Sequence, residues 1–418
     1  MPVPTIASGL MSSVSRLSPL PSVTVVGIGA EGWLGLPEPL REVVREARVV
    51  LGGRRHLDLL PPQPDQIRIA WPTPLRERLP RLIDSQESGP LVALASGDPL
   101  VSGIGSTLID LLGPDRVRIH PSVSSVALAR AEMGWAADTC VAVSLVGRKV
   151  ERVLRELAPG RRVIVLSADE ATPGEVAEML THAGYGASAM HVLGNLGGSD
   201  FSRVDATAGA WSGPAPRLNV IGIELAGPRV GGWLAGLPDS AFEHDGQLTK
   251  RDLRASALAR LAPVPGDHLW DVGAGAGSIG IEWMRAHPSC TATAIEGRPE
   301  RAERIGRNAR RLGVPGLRVV AQAAPGAFTD LPRPDAVFVG GGATVPGVIE
   351  ACLAALAPAG RLVVHGVTIE TERLLGELHA AHGGELVRIS VEVAAPIGSF
   401  TGWTPARTVT QWAFTRDG

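Results

Sequence analysis

The segment His268-Leu-Trp-Asp-Val-Gly-Ala-Gly-Ala-Gly277 narrows the folds open to this chain more than any other. A short run able to form a buried strand stops at three alternate glycines, and a helix-forming stretch follows from Ser278. In a doubly wound sheet this strand–loop–helix unit lies beyond the C-terminal strand ends, where ligands bind. Glycine lets the backbone approach a ligand closely and adopt conformations other residues resist. Asp271, at the strand end, can accept hydrogen bonds from the loop or from an ammonium group. Glu296 ends the next expected strand, near the spacing of about 20 residues at which an acid meets a ribose diol. Gly275-Ala-Gly-Ser-Ile-Gly280 also satisfies the dinucleotide fingerprint. A methyl-donor site, a nicotinamide site and a bare tight turn therefore all remain open from the loop alone.

The surrounding pattern favours the first. A helix is expected over Lys250–Leu261, with Thr249 placed to cap it. Strands are expected at His268–Val272, Thr291–Ile295, Leu317–Ala321, Ala336–Val339 and Arg361–His365. Helices are expected near Ser278–Ala286, Pro299–Leu312, Val345–Leu356 and Glu370–Ala381. Two extended stretches, Glu385–Val393 and Thr408–Phe414, follow without a helix between them and suggest a hairpin-like edge, making seven strands. An acid before the glycines, a helix before the first strand and a reversed terminal strand pair fit a Rossmann-like class I methyltransferase better than a dehydrogenase.

The first half is also α/β. Val23-Thr-Val-Val-Gly-Ile-Gly29 and Leu91-Val-Ala-Leu-Ala95 read as buried strands, with further strands near Val49–Leu51, Val117–His120, Val141–Leu145, Val163–Leu166, Ala189–Leu193 and Leu218–Ile223. Helical stretches between many of them, among them Pro39–Ala47, imply mostly parallel pairing. Residues 229–246, rich in Gly and Pro, read as a linker. The expected division is an N-terminal extension at 1–20, without order or signal-peptide character, a domain over 21–228, the linker, and a domain over 247–418.

Composition excludes more than it selects. A net charge of −2 gives no reason to expect nucleic acid or an anionic membrane as partner. No apolar run reaches the roughly 18 residues of a membrane span. Cys140, Cys290 and Cys352 are dispersed without a CxxC pair, and the ten histidines form no HxH or HxxxH cluster, so no metal site is expected and a reducing cytoplasm is the natural compartment.

The string LTKRDLR from Leu248, then DVGAGAGSIGIEW, IEGRPERAERIGRNARRLGV, AAPGAFTDLPRPDAVFVGGG, RLVVHGVTIET and TGWTPARTVTQW resemble the C15-methylating, decarboxylating enzymes of cobalamin biosynthesis over residues 247–418. The resemblance implies S-adenosylmethionine contacts at Thr249, Gly273, Ala274, Gly275, Ala276, Gly277, Glu296 and Ala324, beside Asp271. Ala276 stands where relatives often carry Thr, which removes a hydroxyl contact. In the first half, three loops resemble the tetrapyrrole methylase family in its precorrin C5-methylating branch: Gly27-Ile-Gly-Ala-Glu-Gly32, Ala95-Ser-Gly-Asp-Pro-Leu100 with Gly103-Ile-Gly105, and Pro121-Ser-Val-Ser-Ser125. That resemblance implies a two-subdomain fold holding S-adenosylmethionine at Gly29, Ser96, Gly97, Asp98, Ile104, Ser124, Ser125 and Leu145. Val146 departs from it, since relatives often have His there. Read from chemistry alone, Asp98 is equally a turn former before Pro99.

Together the resemblances imply a fused cytoplasmic, self-associating enzyme with one S-adenosylmethionine per domain and a tetrapyrrole substrate. It would methylate precorrin-6Y at C5 and C15 and remove the ring C acetate carboxyl, giving precorrin-8. A cobalt-bearing precorrin, a haem precursor, or a binding scaffold with one silent half are the alternatives. Arg251, Arg254, Arg148 and Arg407 are candidates to pair with substrate carboxylates. Gly341 and Gly342, in the glycine run after a strand, are expected to face substrate. Thr344, His365, Thr368 and Glu370 are candidates to steer protons during decarboxylation.

Overall fold

The computed structural model describes residues 23–86, 89–229 and 232–417, so the expected extension at 1–20 lies outside the described residues. Two five-stranded sheets make up the first half. The first contains β1 (Val23–Ile28), β2 (Val49–Gly52), β3 (Ile67–Ala70), β4 (Leu91–Ser96) and β5 (Val117–His120), in the order β3-β2-β4-β1-β5. All its pairings are parallel. The buried valines and leucines of β1, β2 and β4 form its core, as a sheet covered on both faces requires.

The second sheet contains β6 (Cys140–Ser144), β7 (Arg162–Leu166), β8 (Ala189–Gly194), β9 (Ser202–Thr207) and β10 (Asn219–Glu224), in the order β6-β7-β10-β8-β9. Here the expectation of mostly parallel strands fails. Only β6 and β7 pair in parallel, while β10 runs antiparallel to both its neighbours and β9 antiparallel to β8. The cause is connection length: parallel neighbours need a long crossover, whereas β8, β9 and β10 are joined by short helix-free loops. β9 escaped the sequence reading because Ser-Arg-Val-Asp-Ala-Thr is polar and mostly exposed, with no apolar run.

The second half holds β11 (His268–Val272), β12 (Thr291–Ile295), β13 (Arg318–Val320), β14 (Ala336–Val339), β15 (Arg361–Gly366) and β16 (Glu385–Ile389). After a separate hairpin of β17 (Glu392–Ile397) and β18 (Phe400–Pro405), β19 (Val409–Thr415) returns to the sheet. The order β13-β12-β11-β14-β15-β19-β16 gives the expected seven strands, with β19 antiparallel between β15 and β16. The expected edge pair is therefore real, but Glu385–Val393 is not one strand. It breaks at Ser390–Val391, and its far end belongs to the projecting hairpin. The helix expected from Val345 starts at Val348, because Pro346 and the left-handed Gly347 precede it.

The linker expectation also needs correction. Leu237 and Phe242 are buried in the core of the second half. Glu282 accepts the Gly236 and Leu237 N–H groups at 2.6 and 3.0 Å, and the Glu243 N–H donates to Asn308 at 2.9 Å. Residues from Gly236 onward thus belong structurally to the second sheet's layer. The two halves meet where the 3-10 stretch Val150–Glu156 packs near the helix Pro299–Arg311: Arg155 Nε donates to the Arg285 carbonyl at 3.2 Å.

Candidate active sites

The first cavity, about 310 Å³, opens between the two sheets of the N-terminal half. Strand-end loops from both sheets line it, so neither sheet alone would form it. Gly97 ties the loops together: its N–H donates to the Ile28 carbonyl at 3.0 Å, and its carbonyl accepts the Ser122 N–H at 3.1 Å. A Cβ on Gly27 would overlap the Gly97 carbonyl, which explains glycine there. Gly29, Ser96, Gly97, Asp98, Ile104, Ser124 and Ser125 all line the cavity. Asp98 also accepts the Leu100 N–H at 2.9 Å, so it forms the turn as well. Ser124 caps the helix Ser125–Met133 through the Ala127 N–H. Leu145 does not line the cavity. It is buried in the second sheet's core, and its neighbour Val146 lines the cavity in its place.

Three lining residues escaped the sequence reading: Arg55, His56 and Trp71. Arg55 and His56 sit on the short helix Arg54–Asp58 after β2, and both reach Ser96 at the end of neighbouring β4. The only sequence signal was an Arg-His pair just past a strand end.

The second cavity, about 440 Å³, lies beyond β11, β12, β14 and β15 of a single sheet. Thr249, Gly273, Ala274, Gly275, Glu296, Ala324, Gly341, Gly342 and His365 line it. Gly273 has φ +67°, and a Cβ there would stand 2.6 Å from the Gly341 carbonyl oxygen, so the two loops meet backbone to backbone. Glu296 accepts N–H groups from Gly275 at 2.9 Å and Arg298 at 3.0 Å. A backbone cradle ending at a carboxylate suits a ligand carrying a ribose and an amino-acid group, the donor set S-adenosylmethionine needs.

Asp271, Ala276 and Gly277 support this cradle from behind. Asp271 is fully buried and accepts the Gly280 N–H at 2.9 Å. Burial, opposed by that bond and reinforced by Glu296, raises its carboxyl to about 7. It therefore braces the helix Ser278–Ala286 and does not reach a ligand. The Ala276 carbonyl accepts from Asn308 at 3.0 Å, and Gly277 is the left-handed residue before that helix. Thr249 does not cap its helix: Lys250 holds the cap position, and Asp239 accepts the Arg251 N–H at 3.0 Å.

None of the four candidate arginines lines either cavity. Arg254 is wholly buried, its Nε donating to Glu282 at 2.9 Å and its Nη1 to Asp239 at 3.0 Å, with Phe242 against the guanidinium. It pins the segment before the helix Arg251–Leu261 to the sheet. Arg251, Arg148 and Arg407 are exposed away from the cavities. Thr344 is exposed and lines neither cavity. Thr368 caps the helix Ile369–His382 through the Thr371 N–H, and exposed Glu370 lies in its first turn.

His365 is the proton-steering candidate that faces the cavity. Its ring packs edge-on against Phe338, with centroids 5.0 Å apart. Arg260 can only donate, so it fixes the Gln411 amide oxygen toward itself at 3.0 Å; the amide nitrogen then donates to His365 Nε2 at 2.8 Å. Burial pushes the imidazole down to about 4, with nearby Arg260 acting in the same sense and the Gln411 bond opposing. His365 is thus neutral near pH 7, with its proton on Nδ1.

Residues 22–210 match the family described as Tetrapyrrole (Corrin/Porphyrin) Methylases, and residues 240–416 the family described as Precorrin methyltransferase domain. A Sinorhizobium protein named Precorrin-6Y C(5,15)-methyltransferase [decarboxylating] is 45% identical over 97% of this chain and 100% of its own length. A Mycobacterium tuberculosis protein of the same name is 44% identical over 94% of this chain and 100% of its own. The crystal structure of the C-terminal domain of precorrin-6Y C5,15-methyltransferase from Rhodobacter capsulatus is 44% identical, covering 44% of this chain and 100% of that one with a TM-score of 0.43. With both domain matches in order and end-to-end identity of this size, the chain belongs to the precorrin-6Y C(5,15)-methyltransferase (decarboxylating) family.

Proposed function

We propose that this enzyme of cobalamin biosynthesis methylates precorrin-6Y at C5 in the first cavity and at C15 in the second. The second site also removes carbon dioxide from the ring C acetate side chain, giving precorrin-8. The observation that carries the reading is that two glycine-built cradles, each beyond strand ends, stand in one chain aligned over its length with relatives named for both reactions. Each cradle takes one S-adenosylmethionine, whose sulfonium methyl is the electrophile. The methyl acceptor is an electron-rich carbon of the macrocycle, so the chain supplies placement, worth up to about 7–11 kcal/mol when reacting atoms are aligned.

In the second site, Gly273 to Gly275 and Glu296 hold the donor, while Gly341 and Gly342 form the facing wall. His365, neutral and held at Nε2, offers an Nδ1 proton toward the cavity as the ring C carboxyl leaves and the macrocycle takes up the electron pair. We read the domain limits as 21–228 and 236–418, the second starting before the expected boundary because Leu237 and Phe242 pack into it. Self-association in solution belongs to the same reading.

The deciding experiment incubates the purified full chain with labelled S-adenosylmethionine and precorrin-6Y. Gain of two methyl groups and loss of one carboxyl is expected by mass spectrometry. Gain of one methyl, or retention of the carboxyl, would refute the assignment. A cobalt-precorrin substrate run in parallel tests whether the metal-free macrocycle is preferred.

A further inference from the structure

Arg55 is the one arginine that lines the first cavity. Among the described residues it has no acidic partner. Its contacts run through a single nitrogen: Nη2 lies 3.1 Å from Ser96 Oγ and 2.9 Å from His56 Nε2. A guanidinium has no lone pair to offer, so His56 Nε2 must accept, and the imidazole is the neutral tautomer with its proton on Nδ1. Ser96 Oγ, 2.9 Å from the same Nε2, completes the triangle as a donor to the ring and an acceptor from Arg55. Burial and the adjacent Arg55 charge hold His56 down to about 4, consistent with that tautomer.

The triangle fixes the end of a long flexible side chain at the cavity mouth and leaves Nε and Nη1 without a protein acceptor among the described residues. A cation kept in place by neutral neighbours, and given no counter-charge, is arranged for an anion that arrives from outside. The half-buried Trp71 lines the same part of the wall and adds a flat apolar surface. A flat macrocycle edged with carboxylates has both features.

We propose that Arg55, positioned by His56 and Ser96, binds a side-chain carboxylate of the tetrapyrrole at the C5-methylating site. The inference rests on the function proposed above and names its substrate contact. The other carboxylate available is that of the methionine moiety of the methyl donor, and the experiment separates the two.

The test compares the full-length wild-type enzyme with R55Q, R55K and H56F. Kinetics of C5 methylation are followed with precorrin-6Y and with its side-chain methyl ester, alongside calorimetric titration with S-adenosylmethionine. For R55Q the KM for the free acid should rise at least tenfold, with the donor's Kd changed less than about twofold. R55K should recover part of the loss. H56F, which removes the anchor but keeps the charge, should fall between wild type and R55Q. Wild type should prefer the free acid to the ester, and R55Q should lose that preference. C15 methylation and carbon dioxide release report that the variants are folded. An unchanged KM in R55Q, an intact preference for the acid, or a loss confined to donor affinity would overturn the inference. Absence of C5 methylation in the wild type would bring down the functional reading and this inference together. Methylation in the wild type with an unaltered R55Q would bring down this inference alone.

Discussion

The two cavities solve a similar binding problem with opposite use of charge. In the N-terminal half the space exists only because two sheets face each other, and its rim carries a cation whose own neighbours are neutral. In the C-terminal half one sheet makes the whole cavity, and the charges around it are already committed. Arg254 is held by Glu282 and Asp239, Arg301 by Asp245, and Glu296 by two backbone N–H groups. Charge at the second site thus builds the walls, while at the first it is left for a visitor. An arginine near a cavity is informative only once its partners are counted.

The sharpest way to break this contrast is to exchange the arginines' fates. R254A strands the Glu282 carboxylate in the interior, and removing one partner of a buried pair costs about 3–5 kcal/mol. R55Q, at an exposed rim, should change stability by less than about 0.5 kcal/mol. Chemical denaturation of both variants checks this, and similar losses would erase the distinction.

Next in size, G273A places a methyl against the Gly341 carbonyl at a left-handed position. Donor affinity at the second site should fall at least about 100-fold, so that calorimetric stoichiometry drops from two to one. If both sites weaken together, the halves are not independent.

H365N removes the Nδ1 donor and should slow decarboxylation by about 100-fold, the range for a positioned acid or base. Donor binding should stay within about twofold. Because wild-type His365 is held near 4, the decarboxylation rate should show no inflection near 6.5 from this residue. Rapid-quench measurement of carbon dioxide across pH 5–8 tests both statements.

The smallest effect concerns Asp271. Its folded value is raised from 3.8 to about 7, so the folded state binds the extra proton between those limits. Its contribution to stability is full below about 4 and is lost as pH rises through 7. D271N keeps an oxygen for the Gly280 N–H and should remove this slope, gaining about 1–2 kcal/mol over wild type at pH 8 and little at pH 4. Melting curves at the two pH values decide it.

Much of the second half was legible because its strands are short apolar runs separated by helices long enough to show their own period. The helix Ser278–Ala286 and the strands β11, β12 and β14 fall where the pattern places them. β9 and the hairpin of β17 and β18 were not legible, since exposed strands have no buried face to write into the sequence. At the sites, the backbone-building glycines could be read directly, as their role depends on local geometry. Arg254 and Arg55 could not be told apart, because their roles are set by residues 28 and 41 positions away, Glu282 and Ser96. Thr368 and Glu370 looked reactive in sequence for the same reason that they suit a helix start.

The position of β19 bears on how the protein comes into being on the ribosome. This strand carries Gln411 and the buried Trp412 and pairs with β15 on one side and β16 on the other. Until Val409–Thr415 has been synthesised, β15 keeps an open edge of unpaired backbone groups, a template for association with other nascent chains. The N-terminal half, whose two sheets close with β5 and β10, meets no such delay. Translation should therefore yield a finished first domain well before the second can close. A frameshift or stop upstream of Val409 should leave the first reaction intact on a chain that aggregates through its second half.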